Sequence, residues 1–266
     1  MKKMNLLHRR SSATKRVARW FLPALMMILL TITTLASFAQ VNNIVLVHGA
    51  FADGSGWKAV YDILTKRGYH VSMVGNPNTG MPDDVSATKR VLDRQDGPVI
   101  LVGHSYGGAI ITEAGNEPNV VGLVYVSAFA PDSSESLGQL AQAGPPNPSN
   151  AMLPPQDGFL WIERSKFHAS FCADVPDNIA DFMADAQIPL AASVFGYVMP
   201  KAAWRTKPSW YCVATEDKTI PPDAERFMAK RMGAKVYEIK SSHVIFLSHP
   251  KEVADIIEAA AKATGK

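Results

Sequence analysis

Short, continuously apolar runs recur along this chain, separated by longer stretches in which apolar residues follow a helical period. Apolar runs without polar interruption are typical of strands that are buried on both faces of a parallel sheet. The predicted strands are 43–47, 69–74, 98–102, 120–127, 209–214 and 234–240, and the predicted helices are 57–67, 82–95, 106–115, 222–232 and 251–263. Strand and helix therefore alternate, and this predicts a mostly parallel sheet with helices on both faces.

The alternation is interrupted between about residues 131 and 208. This segment contains the proline-rich stretch "AGPPNPSNAMLPPQDG" and continues with mixed helical periods and no clear strand. A second domain is the alternative, but the proline-rich stretch has too few core residues for an independent core. We therefore expect one α/β domain over residues 40–266, with a mainly helical cap inserted at about 131–208.

Residues 1–39 have the order of features that is typical of a secretory signal peptide. Seven Lys and Arg residues lie between Lys2 and Arg19, and an apolar run follows to about Leu35. A signal peptide would direct export of the protein and be removed by cleavage after Ala39. We therefore expect a periplasmic or secreted location. The alternative is an uncleaved membrane anchor, although the apolar run is short for a membrane span.

The net basic charge of the sequence comes from this leader. The whole chain has 27 Lys and Arg against 24 Asp and Glu, a net charge of +3. Without the seven basic residues of the leader, 20 basic residues remain against 24 acidic ones, which gives −4. Nucleic-acid-binding proteins carry basic surfaces. We therefore expect no nucleic-acid partner and, after cleavage of the leader, no stable association with a membrane.

The two cysteines, Cys172 and Cys212, indicate neither a disulfide framework nor a metal site. An exported protein could pair them. However, Cys212 lies within the predicted strand 209–214, where a small buried thiol is the more common arrangement. Two cysteines are also too few for a typical zinc site. We expect no metal and no cofactor.

A serine lies between two glycines where the predicted strand 98–102 meets a helix. Gly103, Ser105 and Gly107 in "GHSYG" fit the pattern G-x-S-x-G. In this pattern the serine takes a strained backbone conformation at a sharp turn, and the glycines leave room for it. Ser105 is therefore the candidate nucleophile. The N–H of Tyr106, at the start of the helix, is a candidate donor to an oxyanion.

A nucleophilic serine requires a base, and His243 is the best candidate among the seven histidines. It lies in "IKSSHVIFLSHP", directly after the last predicted strand, at the sheet edge where catalytic groups of parallel sheets collect. His249 lies in the same loop, but it precedes Pro250 and the final helix, so a role in starting that helix suits it better.

The base requires an acid partner. Glu216 and Asp217 both follow the predicted strand 209–214, and Asp132 follows the strand 120–127. Spacing alone leaves all three open, although the order Ser105, Asp217, His243 is the one expected for this type of sheet.

A second oxyanion donor is expected from the glycine-rich loop after the first strand. The sequence "HGAFADG" follows strand 43–47, and the N–H of Ala50 is the best candidate, with Phe51 next.

These stretches together resemble the α/β-hydrolase superfamily, in the small-capped branch with plant methyl esterases, plant hydroxynitrile lyases and bacterial esterase-like proteins. The resemblance rests on "VLVHGAFADGSGW", "LVGHSYGG", "TEDKTIPP" and "SSHVIFLSHPKEVADII" and covers nearly all of 42–263. It implies an acid four residues before a proline, which is Asp217 before Pro221, and a base at His243. It also implies an oxyanion hole formed by Ala50 and Tyr106.

The predicted function is hydrolysis of small, hydrophobic or aromatic carboxylic esters through an acyl-enzyme on Ser105. We expect Phe51 of the first loop and two cap residues, Trp161 and Phe195, to contact a small-molecule ester. Perhydrolysis could accompany this activity, because it uses the same residues. The oligomeric state is not indicated by the sequence.

Two other functions are less well supported. Hydroxynitrile lyases of the resembled branch carry a threonine in the first loop and a lysine after the catalytic histidine, where this chain has Gly49 and Val244. A ligand-binding protein that retains the pocket would be indicated by a damaged triad or oxyanion loop, and neither is damaged here.

Overall fold

The computed structural model describes residues 40–144 and 146–265. The predicted signal peptide, 1–39, lies outside the described residues, so cleavage and export stay predictions. Within the described part, no helix is both long and apolar enough to cross a bilayer.

Six parallel strands form the central sheet, with bounds close to those expected from the apolar runs. They are β1 (Asn43–Val47), β2 (His70–Val74), β3 (Val99–Ser105), β4 (Val120–Ala128), β7 (Ser209–Ala214) and β8 (Lys235–Ile239). Their order across the sheet is β2-β1-β3-β4-β7-β8, and every neighbouring pair is parallel. The α/β fold class predicted from the sequence is confirmed.

Helices connect these strands, as the helical periods predicted. They are α1 (Lys58–Lys66), α2 (Met81–Leu92), α3 (Tyr106–Ala114), α7 (Pro222–Arg231), the short α8 (Ile245–Ser248) and α9 (Pro250–Thr264). The predicted helix 57–67 begins later than expected, because a 3₁₀ turn, Gly54–Trp57, precedes it and is capped by the Asp53 side chain. Proline begins α7 and lies at the start of α2 and α9, where its missing N–H costs no hydrogen bond.

The chain between β4 and β7 is mainly helical, with α4 (Leu137–Gln142), α5 (Arg164–Phe171) and α6 (Asp177–Asp185). The expectation of no strand in this segment is wrong. The strands β5 (Phe159–Leu160) and β6 (Leu190–Ala191) form a two-stranded antiparallel sheet. Each is two residues long, too short for an alternating pattern to show in the sequence. The cap boundaries at about 131–208 stay a prediction.

The direction in which the chain adds strands reverses between β1 and β3. β2 lies on one side of β1 and β3 lies on the other side, and the later strands β4, β7 and β8 are added beyond β3. The loops after β1 and β3 therefore diverge to opposite faces and leave a crevice at the carboxyl edge of the sheet. Ser105 ends β3 at that edge.

The two cysteines are unpaired within the described part of the chain. Cys172 and Cys212 are buried free thiols, and Cys212 lies in β7 as its sequence context indicated. Burial raises the pKa of the Cys172 thiol to about 12 and that of Cys212 further, so neither is a thiolate at neutral pH.

Candidate active site

Ser105 occupies a strained position between β3 and α3. Its φ is +52° and its ψ is −123°, a region that residues with a side chain rarely adopt. A Cβ atom at Gly103 would lie 2.5 Å from the Gly107 carbonyl oxygen, and one at Gly107 would lie 2.7 Å from the His48 carbonyl oxygen. Both glycines are therefore required for the close approach of backbone segments that creates this turn.

His243 and Asp217 form a buried pair in the loops that follow β8 and β7. The side chains are entirely screened from solvent, and His243 Nδ1 lies 2.5 Å from Asp217 Oδ2. The other oxygen, Asp217 Oδ1, accepts the N–H groups of Thr219 and Ile220, at 2.6 and 2.9 Å. Three hydrogen bonds thus orient the carboxylate toward the imidazole.

The contact with Asp217 determines which nitrogen of His243 can act as a base. A carboxylate only accepts hydrogen bonds, so Nδ1 carries the proton and Nε2 keeps a free lone pair. Within the described residues, His243 Nε2 is buried and has no hydrogen-bond partner. The arrangement can therefore take up one proton at Nε2 while Asp217 stabilises the resulting charge.

The other acids and the second histidine considered from the sequence lie elsewhere. Glu216 is half exposed and faces Lys240, whereas Asp132 is bonded to Arg205. His249 lies at the start of α9, with Nδ1 3.5 Å from a carboxylate oxygen of Glu252 in the first turn of that helix.

His104, next to the serine, supports the backbone of His243. Its Nε2 lies 3.0 Å from the His243 carbonyl oxygen, and because a carbonyl only accepts, Nε2–H is the donor. The two imidazole rings are 4.6 Å apart. Burial, and then the neighbouring His243, lower the pKa of His104 well below its ordinary value, so it stays neutral and holds this geometry over the working pH range.

The loop after β1 is fixed by His48 and Asn76. The Asn76 backbone N–H donates to His48 Nε2 at 3.0 Å, so Nδ1–H donates to the Gly49 carbonyl oxygen at 2.8 Å. This brings the loop against the serine: a Cβ atom at Gly49 would lie 2.8 Å from that of Ser105. Ala50, the predicted oxyanion donor, is the next residue and is buried.

The backbone N–H of Tyr106, the other predicted donor, belongs to the first residue of α3 and has no acceptor within the helix. Its side chain is anchored separately. The Tyr106 hydroxyl donates to Asp84 Oδ2 at 2.6 Å, and the Asn78 N–H donates to Asp84 Oδ1 at 2.8 Å. Burial raises the pKa of Asp84. The hydroxyl of Tyr106 is thus occupied by a structural hydrogen bond, and only its N–H is free for chemistry.

Asp174, between α5 and α6, connects the cap segment to the loop of His243. Its Oδ2 accepts the Ser241 hydroxyl at 2.7 Å and the Ser242 N–H at 2.9 Å, and the Ser242 hydroxyl bonds to Oδ1. Burial opposes ionisation of Asp174, but the bonds from Ser242 and Ser241 outweigh it and lower the pKa. An ionised carboxylate therefore fixes the two residues before His243.

A cavity of about 220 Å³ lies beside the serine turn, between the loop after β1, the cap and α8. Its wall includes His48, Gly49 and His104, the neighbours of Ser105, rather than Ser105 itself, which is 6% exposed. The remaining lining residues are mainly apolar: Phe51, Ala52, Asp53, Ser55, Gly56, Phe171, Ile179, Phe182, Met183, Ala186, Phe246 and Leu247. The cavity can therefore hold an apolar group next to the serine turn.

Of the three residues expected to contact substrate, Phe51 lines this cavity. Trp161 and Phe195 do not. The cap contributes Phe171 and residues of α6 instead, and Ile179 had no special signal in the sequence beyond its helical period. Phe171 also packs on His243, and the centroids of the two rings are 4.9 Å apart. Among the described residues, no group of three or more His, Cys, Asp or Glu side chains is placed to hold a metal ion.

The outer rim of the cavity is apolar and exposed. On α6, Phe182 is 67% exposed and Ile179 is 41% exposed, and both belong to the lining. Apolar side chains with so much solvent contact, beside a buried cavity, are typical of a surface that binds an apolar molecule.

Comparisons with known proteins agree with this architecture. The model of the alpha/beta hydrolase family matches residues 44–256. A pyrethroid hydrolase of Sphingobium wenxiniae is 30% identical, over 82% of this chain and 86% of that protein. The carbendazim hydrolyzing esterase of a Nocardioides species is 25% identical, over 82% and 98%. Salicylic acid-binding protein 2 of Nicotiana tabacum is 25% identical, over 83% and 98%.

A solved structure gives the same result for the fold. The crystal structure of a pyrethroid hydrolase from Sphingobium faniae matches with a TM-score of 0.72 and 25% identity, over 84% of this chain and 98% of that one. The chain therefore belongs to the α/β hydrolase family, as its motifs predicted, and it is related to plant members of that family.

Proposed function

We propose that this protein hydrolyses carboxylic esters with an apolar acyl or alcohol group, using Ser105 as the nucleophile, His243 as the base and Asp217 as its partner. The single observation that carries the proposal is the buried pair of His243 and Asp217, with Nε2 unpartnered within the described residues. This pair lies at the same edge of the sheet as a serine with a φ of +52°.

The proposed reaction follows from the roles of these groups. As the Ser105 oxygen attacks the ester carbonyl carbon, its proton moves to His243 Nε2, and Asp217 stabilises the imidazolium. The N–H groups of Ala50 and Tyr106 donate hydrogen bonds to the carbonyl oxygen and stabilise its developing negative charge. The imidazolium then protonates the leaving alcohol. Water, deprotonated by the same Nε2, attacks the acyl-enzyme and releases the acid and the serine.

The sequence predicted a carboxylic ester hydrolase, and the comparisons bear this out, since one relative is a carbendazim hydrolyzing esterase and another a pyrethroid hydrolase. The cavity supports the narrower choice of an apolar substrate. At about 220 Å³ it is smaller than the sites that enclose a whole drug-sized molecule. One apolar group of the ester would occupy it, and a larger remainder would extend over Phe182 and Ile179.

The decisive experiment measures hydrolysis of p-nitrophenyl esters, from acetate to octanoate, by the purified protein and by Ser105→Ala. The substitution removes the nucleophile and should reduce turnover by about 10⁶-fold or to the limit of detection, without a change in the circular dichroism spectrum. Ser193→Ala, at an exposed serine outside the cavity lining, is the matched control. Near wild-type turnover by Ser105→Ala would refute the assignment of the nucleophile.

Absence of turnover on every ester, with the protein folded, would direct attention to the other functions. Cyanohydrin cleavage is then the next assay, although no cation follows the base: the next residue is Val244, which is fully buried. Tight retention of an apolar ligand without turnover would indicate a binding protein. Export through the predicted leader is proposed separately and is tested by the N-terminal sequence of the protein recovered from its native cells.

A further inference from the structure

Glu225 is a buried carboxyl group directly behind the acid of the proposed triad. It lies on the inner face of α7 and is 0% exposed. Its Oε2 accepts the backbone N–H of Ala214 at 3.2 Å, at the end of β7 and three residues before Asp217. Glutamate is almost never fully buried without a partner for its charge. The surroundings of Glu225 therefore decide its protonation state.

The second oxygen of Glu225 receives no donor. Oε1 is buried, and no N–H or O–H group of the described residues bonds to it. The carboxyl group next to Glu225 is that of Asp217, which follows three residues after Ala214, whose N–H is bonded to Glu225. Two carboxylates only accept, so this contact is a hydrogen bond only if one of the two groups carries a proton.

The titratable groups around Glu225 offer little compensating positive charge, since that of Arg226 is outweighed by burial and by the charge of Asp217. The charge of Glu225 would act on Tyr211 and Cys212 of β7, but burial raises the pKa of both, so they are neutral. Arg226, next on α7, has an exposed side chain that is bonded to Glu238 and Asp223. Asp217 already carries the negative charge that pairs with His243. A second charge on Glu225 would be buried and unpaired.

We propose that Glu225 is a positioning residue that is protonated in the folded protein and donates a hydrogen bond from Oε1 to the Asp217 carboxylate. The proposal rests on the function assigned above to Asp217 and His243, and it deepens that function. Burial, and then the charge of Asp217, raise the pKa of Glu225 well above its usual range. The pair of acids thus carries one negative charge, held on Asp217 beside the base.

This hydrogen bond completes the fixation of Asp217. His243 and the N–H groups of Thr219 and Ile220 hold the carboxylate from one side. The proton of Glu225 holds it from the side of α7. A carboxylate with donors on both sides cannot rotate away from the imidazole.

The test compares Glu225→Gln and Glu225→Leu with the wild-type protein by the pH dependence of kcat/KM on a p-nitrophenyl ester. Glutamine is neutral, has nearly the same shape and keeps a donor. If Glu225 is protonated, Glu225→Gln leaves the acid limb of the profile in place and retains kcat. Glu225→Leu removes the donor and should lower kcat by about tenfold or more. Glu216→Gln, at the half-exposed neighbour of Asp217, is the control for removal of a carboxyl group.

An ionised Glu225 would give a different pH profile. If Glu225 is ionised, Glu225→Gln removes a negative charge close to His243, the imidazolium loses stabilisation, and the acid limb moves to lower pH by about one unit. Such a shift would overturn the proposal. A merely structural role would lower the stability of Glu225→Leu without the loss in kcat of the folded fraction, and this would also overturn it.

A second measurement needs no turnover and keeps the proposal testable if Glu225→Leu does not fold. The infrared difference spectrum of wild type minus Glu225→Gln at pH 8 should contain the carbonyl band of a protonated carboxylic acid. A carboxylate band instead would refute protonation. Because this result does not depend on ester hydrolysis, failure of the proposed function and failure of this inference can be told apart.

Discussion

Phe182→Ala tests whether the exposed rim of the cavity binds substrate. Phe182 is 67% exposed and lies on α6 among the cavity-lining residues. Full burial of a phenylalanine side chain is worth about 1.5–3 kcal/mol. A substrate that covers the exposed two thirds therefore gains about 1–2 kcal/mol, which corresponds to a factor of about 5–30. This is an upper range, because it assumes that the substrate covers all of the exposed surface.

The measurement is kcat/KM for p-nitrophenyl acetate and octanoate. An acetyl group is much smaller than the cavity of about 220 Å³. We therefore expect it not to reach the rim, and its kcat/KM should stay within about twofold of wild type. The octanoate value should fall by the factor of about 5–30 given by the lost apolar contact. The decrease should lie mainly in KM, because a contact far from the reacting carbon stabilises substrate and transition state alike.

Phe227→Ala is the matched control. Phe227 is 55% exposed on α7, outside the cavity lining, and its ring lies under Arg231. Its removal should leave both esters unchanged, which excludes a general effect of deleting an exposed phenylalanine. Equal losses on acetate and octanoate in Phe182→Ala, or no loss on either, would refute the assignment of the rim to substrate binding.

Three further predictions concern the buried polar groups. Asp217→Asn should lower kcat by roughly 10⁴-fold with the fold retained, whereas Glu216→Gln should have little effect; equal losses in the two variants would contradict the choice of Asp217. Tyr106→Phe removes the hydroxyl that donates to Asp84 at 2.6 Å. The free energy of unfolding, measured by urea denaturation, should decrease by about 1–3 kcal/mol. Turnover should persist, because the backbone N–H of residue 106 remains. Glu225→Gln should change how stability depends on pH. The folded-state pKa of Glu225 is raised, so the folded wild type binds this proton more tightly than the unfolded chain does. Its free energy of unfolding therefore decreases as the pH increases from about 4.5 toward the folded-state pKa, by up to about 1.4 kcal/mol per pH unit. Glutamine lacks this titration, so the variant should gain stability relative to wild type as the pH increases above the usual pKa of a glutamate. Parallel curves for the two proteins would contradict a raised pKa.

The strands and the serine turn could be predicted because their causes are local. Apolar runs identify strands buried on both faces, and the glycines on either side of Ser105 lie where an added Cβ atom would come as close as 2.5 Å to a backbone atom. The position of His243 could also be predicted, since this residue follows a strand at the edge where parallel strands end. The two-stranded sheet of β5 and β6 could not be predicted, because two residues per strand give no pattern and the paired residues are 30 and 32 positions apart.

The remaining parts of the site depend on tertiary packing. Spacing could not separate Glu216 from Asp217, because adjacent loop residues differ only in the direction of their side chains, and only the resemblance favoured Asp217. Trp161 was expected in the pocket from its residue type, but the packing of α6 against the first loop determines which cap residues line it. The sequence contained one indication of a buried Glu225 that was not used. This acid lies three residues before Met228, on the same buried face of α7.

The bonds from Asp174 limit how freely the substrate range of this chain can change. A segment inserted between two neighbouring strands, β4 and β7, can be replaced without altering the order of the sheet. In this way one framework acquires new specificities. Asp174 belongs to that segment, yet it fixes the two serines before His243. A replacement segment without a carboxylate at this position would alter specificity and, at the same time, remove the hydrogen bonds that fix the residues before His243. Recombination between relatives should therefore succeed only when this acid and its serines are inherited together.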